Sequence, residues 1–129
     1  MGDKRSAMFL KSATILIGSV WIFHGLYSKI LDGIPRHRLI AERILGDEIG
    51  GVAIVVIGAL EISLGLWAFS GRYRRMCAMV QTVAIVSMNA LEIWLAKDLL
   101  ISAAGMVALN AIFLSLVWLW ATAQRSNPS

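Results

Sequence analysis

The sequence predicts an all-α integral membrane protein, an up-down bundle of four transmembrane helices with a short amphipathic helix between the first two spans. Three observations predict it. Apolar residues make up 58% of the chain and charged residues 16%, and the mean hydropathy is +0.73, a balance that soluble domains rarely have. The apolar residues collect in four runs, 8–31, 49–69, 76–95 and 99–121. Each is near the roughly 20 residues that a helix needs to cross about 30 Å of hydrocarbon. The runs are also apolar on all sides, as in IVVIGALEISLGLWAF, whereas a spanning strand alternates apolar and polar residues.

The first run follows Lys4 and Arg5 and contains Lys11, a basic start that resembles a signal peptide. It is longer than a signal core of about 7–15 residues and no A-x-A-like site follows it, so it is read as a retained span. Next comes DGIPRHRLIAERILGDEIG, the one sizeable connection. Pro35 suits the first turn of a helix, and Leu39, Ile40, Ile44 and Leu45 recur at helical spacing opposite Arg36, Arg38, Glu42 and Arg43. A short helix lying on the membrane surface is expected. The turns at 70–75 (SGRYRR) and 96–98 (AKD) are tight, so successive spans are expected to run antiparallel within one domain, 1–129. The tail, Gln124 to Ser129, is polar and expected to fray.

Seven Lys and Arg residues fall on the N-terminal side (Lys4, Arg5, Lys11, Arg72, Arg74, Arg75, Arg125) and five on the other (Lys29, Arg36, Arg38, Arg43, Lys97). This excess predicts both termini in the cytoplasm, and a bacterial inner membrane is the expected location. Trp67, Tyr73, Trp118 and Trp120 are placed near the inner interface and Trp94 near the outer one. The chain carries no zinc-finger spacing, nucleotide-binding glycine motif or basic helix with interleaved aromatics, so no nucleic-acid partner is expected. The lone Cys77 excludes a C-x-x-C redox pair.

Polar residues within the spans are the candidate functional groups, because a charge at the bilayer centre costs ~2.5–3.5 kcal/mol. They are His24, Lys29, Glu61, Gln81, Asn89, Glu92 and Asn110. His24 and Glu92 each lie about sixteen residues into a span that runs outward, hence roughly 24 Å from the inner surface, and are expected to face each other or a shared ligand. Asn89 and Glu92 share a helix face, with Gln81 on nearly the same stripe. Gln81 and Asn110 read as interhelical glue; Lys29 reads as a pocket residue or as a side chain snorkelling to the interface. Gly18 and Gly25, like Gly58 and Gly65, stand seven apart and mark close helix packing, with Glu61 on the same seam. No haem is expected, since His24 is the only histidine within a span and His37 lies in the connection. No metal is expected either.

The segments WIFHGLYSKIL (Trp21 to Leu31) and IGALEISLGLW (Ile57 to Trp67), set in a four-span layout, resemble the DoxX-like family of small four-helix membrane proteins. The sharpest points are His24-Gly25 followed by Lys29, and the Gly58, Glu61, Gly65 pattern. That family is similar to membrane subunits of thiosulfate:quinone oxidoreductase. The resemblance implies a quinone-linked or respiratory accessory role, with a redox partner protein and a quinone as the implied ligand.

Three functions compete. The first is a subunit that binds a quinone-like or lipid-like ligand through His24, Lys29, Glu61, Asn89, Glu92 and Asn110 beside a redox partner. The second is a small four-helix transporter acting as a homo-oligomer, since four helices enclose little space. The third is a structural assembly subunit whose polar groups fix helix register. No nucleophile, base and orienting group occur together, so hydrolase chemistry has no support.

Overall fold

A computed structural model describes residues 2–123. These residues form helices and turns, with no strand among them. The elements are α1 (Gly2–Ile22), continued by a π-helical segment (Phe23–Ile30), then α2 (Pro35–Leu45), α3 (Asp47–Ser70), α4 (Arg74–Leu95) and α5 (Ala103–Thr122). Four stretches are long and apolar enough to cross a membrane: Lys4–Ile30, Asp47–Ser70, Arg74–Leu95 and Ala103–Thr122. Arg125 and the rest of the expected tail, Gln124 to Ser129, lie outside the described residues.

Local chemistry sets the ends of these helices. Pro35 opens α2, where its missing N–H forfeits no hydrogen bond. A single residue, Gly46, joins α2 to α3, and its φ of 92° is one that a side chain would resist. Gly71 closes α3 in the left-handed region, its N–H donating to the Ala68 carbonyl at 3.1 Å. The fourth span begins at Ala103 rather than at Leu99 as the hydropathy predicts. Lys97–Leu99 instead forms a 3₁₀ turn, tied to α2 by the Arg43–Asp98 ion pair at 2.6 Å, and the Ser102 hydroxyl accepts the Gly105 N–H at 3.0 Å as the true N-cap.

The closest packing joins α1 to α3. A Cβ on Gly58 would lie 2.7 Å from the Gly25 carbonyl oxygen, and one on Gly65 would lie 2.8 Å from that of Gly18. No side chain fits at either position, so the two backbones touch. Because position 25 meets 58 and 18 meets 65, α1 and α3 run antiparallel. The glycine spacing in the sequence thus marks a real seam, as expected where hydrocarbon surroundings reward close contact more than burial.

Polar ties link the other helices. Trp21 Nε1 donates to Gln81 Oε1 at 2.6 Å, joining α1 to α4, and Trp120 Nε1 donates to Thr14 Oγ1 at 2.9 Å, joining α5 to α1. Trp118 Nε1 donates to Thr82 Oγ1, and Arg74 donates to the carbonyls of Trp120 and Ala123, so α4 also holds α5. Trp21 and Trp120 bury their rings and Trp118 is half-buried, and each spends its one N–H on a partner. Trp120, expected at an interface, is fully buried for this reason. Trp94 and Tyr73 remain exposed. Cys77 is fully buried, with Gln81 Nε2 donating to its sulfur at 3.3 Å.

Gly58→Ala is expected to force α1 and α3 apart and destabilise the fold by ~1–3 kcal/mol. Gly51→Ala, with nothing within 4 Å of the added methyl, is expected to be neutral or slightly stabilising. Thermal unfolding of the detergent-solubilised protein measures both.

Candidate functional site

The candidate site grows from the end of the α1–α3 seam. Beyond Ile22 the α-helix widens into the π turns of Phe23–Ile30, and the irregularity continues as the Gly33 and Ile34 N–H groups donate to the carbonyls of Tyr27 and Ser28. Such wide turns recur at functional sites because they rotate side chains out of the register that a regular helix imposes. Here Gly25 and Ser28 are buried, and Lys29 comes to rest against α3.

Lys29 Nζ lies 2.7 Å from Glu61 Oε1, with the two side chains 10% and 7% exposed. Lys29 therefore turns inward instead of snorkelling. Glu61 sits on the seam face between Gly58 and Gly65, as the sequence suggests, and Lys29 is the partner that makes its burial tolerable.

His24 approaches α2. Its ring stacks on that of His37, with centroids 6.1 Å apart and planes 28° apart, and meets Phe23 edge-on at 5.5 Å. The expected direct pairing of His24 with Glu92 does not form: no hydrogen bond or ion pair joins them among the described residues. The two share a neighbour, since both feel the charge of Lys29, and Glu92 also feels Arg36 and Glu61. Counting residues along a span does not fix the direction in which a side chain points.

Asn89 and Asn110 belong to a different contact. Asn110 Nδ2 donates to Asn89 Oδ1 at 2.9 Å, tying α5 to α4. Gln81, fully buried, is consumed by Trp21 and Cys77, in keeping with its reading as glue.

Two residues at the site escape the sequence reading. His37 was assigned to a connection outside the spans, and α2 folds it back over His24. Ser28, unremarkable in an apolar run, is fully buried. The Ser28 hydroxyl and His37 Nδ1 are enclosed without a hydrogen-bond partner, and Glu61 Oε1 has none beyond its ion pair. The only signal in the sequence was that His24, Ser28 and Lys29 are three polar groups within six residues of an otherwise apolar span end.

Comparison with known proteins identifies the family of the chain. The model of the DoxX-like family matches residues 18–118, which takes in the glycine seam, the ion pair and the stacked histidines. The chain belongs to the DoxX-like family. No curated protein and no solved structure matches it.

The polar side chains around the end of the first span of this DoxX-like membrane protein offer both donors and acceptors. An ammonium has three N–H donors and the Glu61 contact occupies one; a neutral imidazole presents one donor and one acceptor; a serine hydroxyl presents both. Burial first, then the charges of Lys29, His24 and Arg36, push the His37 imidazole from an ordinary 6.5 down to about 4. His37 is therefore neutral at pH 7. In the unfolded chain it takes up a proton at its ordinary value, so between the two values the unfolded state binds more protons. Stability is expected to be full above about pH 6.5, to fall as the pH drops from there toward about 4, and to level off below. His37→Gln is expected to flatten that part of the curve, measured by unfolding temperature against pH.

Proposed function

We propose that this DoxX-like protein is an accessory subunit of a membrane redox system that holds the polar head of a quinone-like or lipid-like ligand at the Lys29–Glu61 end of α1 and α3. The observation that carries this reading is the buried ion pair in company with enclosed, unpartnered polar atoms, Ser28 Oγ and His37 Nδ1. Buried polar groups normally find partners, and a carbonyl-bearing headgroup would supply them. The ligand tail would lie along the apolar faces of the spans. Lys29 and Ser28 would donate to carbonyl oxygens, with Glu61 holding the ammonium in place and His24 orienting His37.

In this reading the four spans form an up-down bundle across a bacterial inner membrane, as one domain over 1–129. Both termini are cytoplasmic, and the amphipathic α2 lies at the outer surface over the site. A redox partner protein or a second copy of the chain would dock in the membrane. An assembly subunit is the second reading, favoured by the Asn89–Asn110 and Trp21–Gln81 bonds, which serve packing alone.

A short-tailed benzoquinone titrated into the detergent-solubilised full chain, followed by native mass spectrometry, separates the two. The first reading expects a bound quinone, and expects Ser28→Ala and His37→Gln to weaken its retention by roughly fivefold each, about the worth of one hydrogen bond, with helical content unchanged. Absence of binding, or retention unchanged by both variants, would favour the assembly role.

A further inference from the structure

The two ends of the molecule treat their charges differently. At the α2 end, three of the five cations are matched, Lys29 with Glu61, Arg38 with Asp32 and Glu42, and Arg43 with Asp98, while Arg36 and Lys97 form no ion pair among the described residues. At the opposite end, the elements that meet are the start of α1, the end of α3, the turn after it, the start of α4 and the end of α5. They carry Lys4, Arg5, Lys11, Arg72, Arg74 and Arg75, and their only acid is Asp3. Lys11, Arg72 and Arg75 form no ion pair among the described residues.

A cleft of about 460 Å³ opens at this end, and two of these cations line it. Ala7, Leu10, Ile15 and Phe69 give it apolar walls, and Lys11 and Arg74 stand at it. Thr14, also on its wall, is already used, donating to the Leu10 carbonyl and accepting from Trp120. Arg74 is likewise engaged with the end of α5. Lys11 is different. It lies one turn inside the apolar run that begins at Met8, exposed, with no carboxylate to meet it. An ammonium at that depth is best accommodated by an anion at the headgroup level.

We propose that this cleft binds an anionic phospholipid, with an acyl chain against Leu10, Ile15 and Phe69 and its phosphate between Lys11 and the Arg72–Arg75 turn. The pairing of an apolar groove with Lys11 on its wall, and with Arg72 and Arg75 on the turn beside it, fits a two-part molecule, anionic at one end and hydrocarbon at the other. Basic clusters at the end of a span attract anionic lipid with about 1 kcal/mol per cation, a factor of about five in affinity. The zwitterionic lipid lacks the net charge that this end calls for, and inorganic phosphate lacks the chain that the groove walls call for. The proposal does not depend on a ligand at the Lys29–Glu61 end.

The test is native mass spectrometry of the full chain extracted in detergent and supplied with phosphatidylglycerol or phosphatidylcholine. Phosphatidylglycerol is expected to be retained in preference, less so as salt is raised. Lys11→Gln and Arg72→Gln are each expected to weaken retention about fivefold. Lys97→Gln, at the other end, is expected to leave it unchanged. Ala7→Trp fills the cleft without altering a charge and is expected to displace the lipid, which separates a groove site from diffuse attraction. Circular dichroism confirms that each variant is folded. Equal retention of the two lipids, insensitivity to Ala7→Trp, or competition by inorganic phosphate alone at the lipid's concentration would overturn the proposal.

Discussion

Backbone contact between α1 and α3 is the constraint from which the rest of the structure follows. In hydrocarbon, apolar side chains gain little by leaving lipid for protein, so helices hold together through close approach and through polar groups that lipid cannot satisfy. Gly18, Gly25, Gly58 and Gly65 remove the side chains that would keep the two backbones apart. Only at that separation does the wide turn that carries Lys29 deliver its ammonium to Glu61. The ion pair is then both a consequence of the seam and its lock, since separating the helices would strand a carboxylate and an ammonium in a low-dielectric setting.

The remaining helices attach by a different device. α4 and α5 are joined by Asn89–Asn110 and Trp118–Thr82, and are tied to α1 by Trp21–Gln81 and Trp120–Thr14. Gln81 and Thr82 each donate as well as accept. The enclosed side-chain atoms without a hydrogen-bond partner, Ser28 Oγ and His37 Nδ1, belong instead to the π-helical segment and to α2.

Much of the fold was legible because a bilayer imposes length and composition on whatever crosses it. Every boundary of the four runs lies within four residues of the observed spans, and the far ends within one. The fourth misses at its start, where Leu99, Leu100 and Ile101 look like span but an ion pair and a serine cap hold the chain outside the helix. The seam was legible from glycine spacing, and so was the placement of Glu61 on it. The partner of Glu61 was not. Depth counting assumes a regular helix, and the π turn at Phe23–Ile30 breaks that register just where His24, Ser28 and Lys29 sit. His37 was hidden for a related reason: a residue in a connection has no predictable depth until the path of α2 is known.

The central claim is that Lys29 and Glu61 are one energetic unit across the seam. A double-mutant cycle measures it directly, with Lys29→Gln, Glu61→Gln and the double variant compared by reversible unfolding in detergent at neutral pH. The account predicts that each single variant is strongly destabilised and that the double variant recovers part of the loss, with a coupling of roughly 1–3 kcal/mol. Additive effects, with no coupling beyond error, would contradict it.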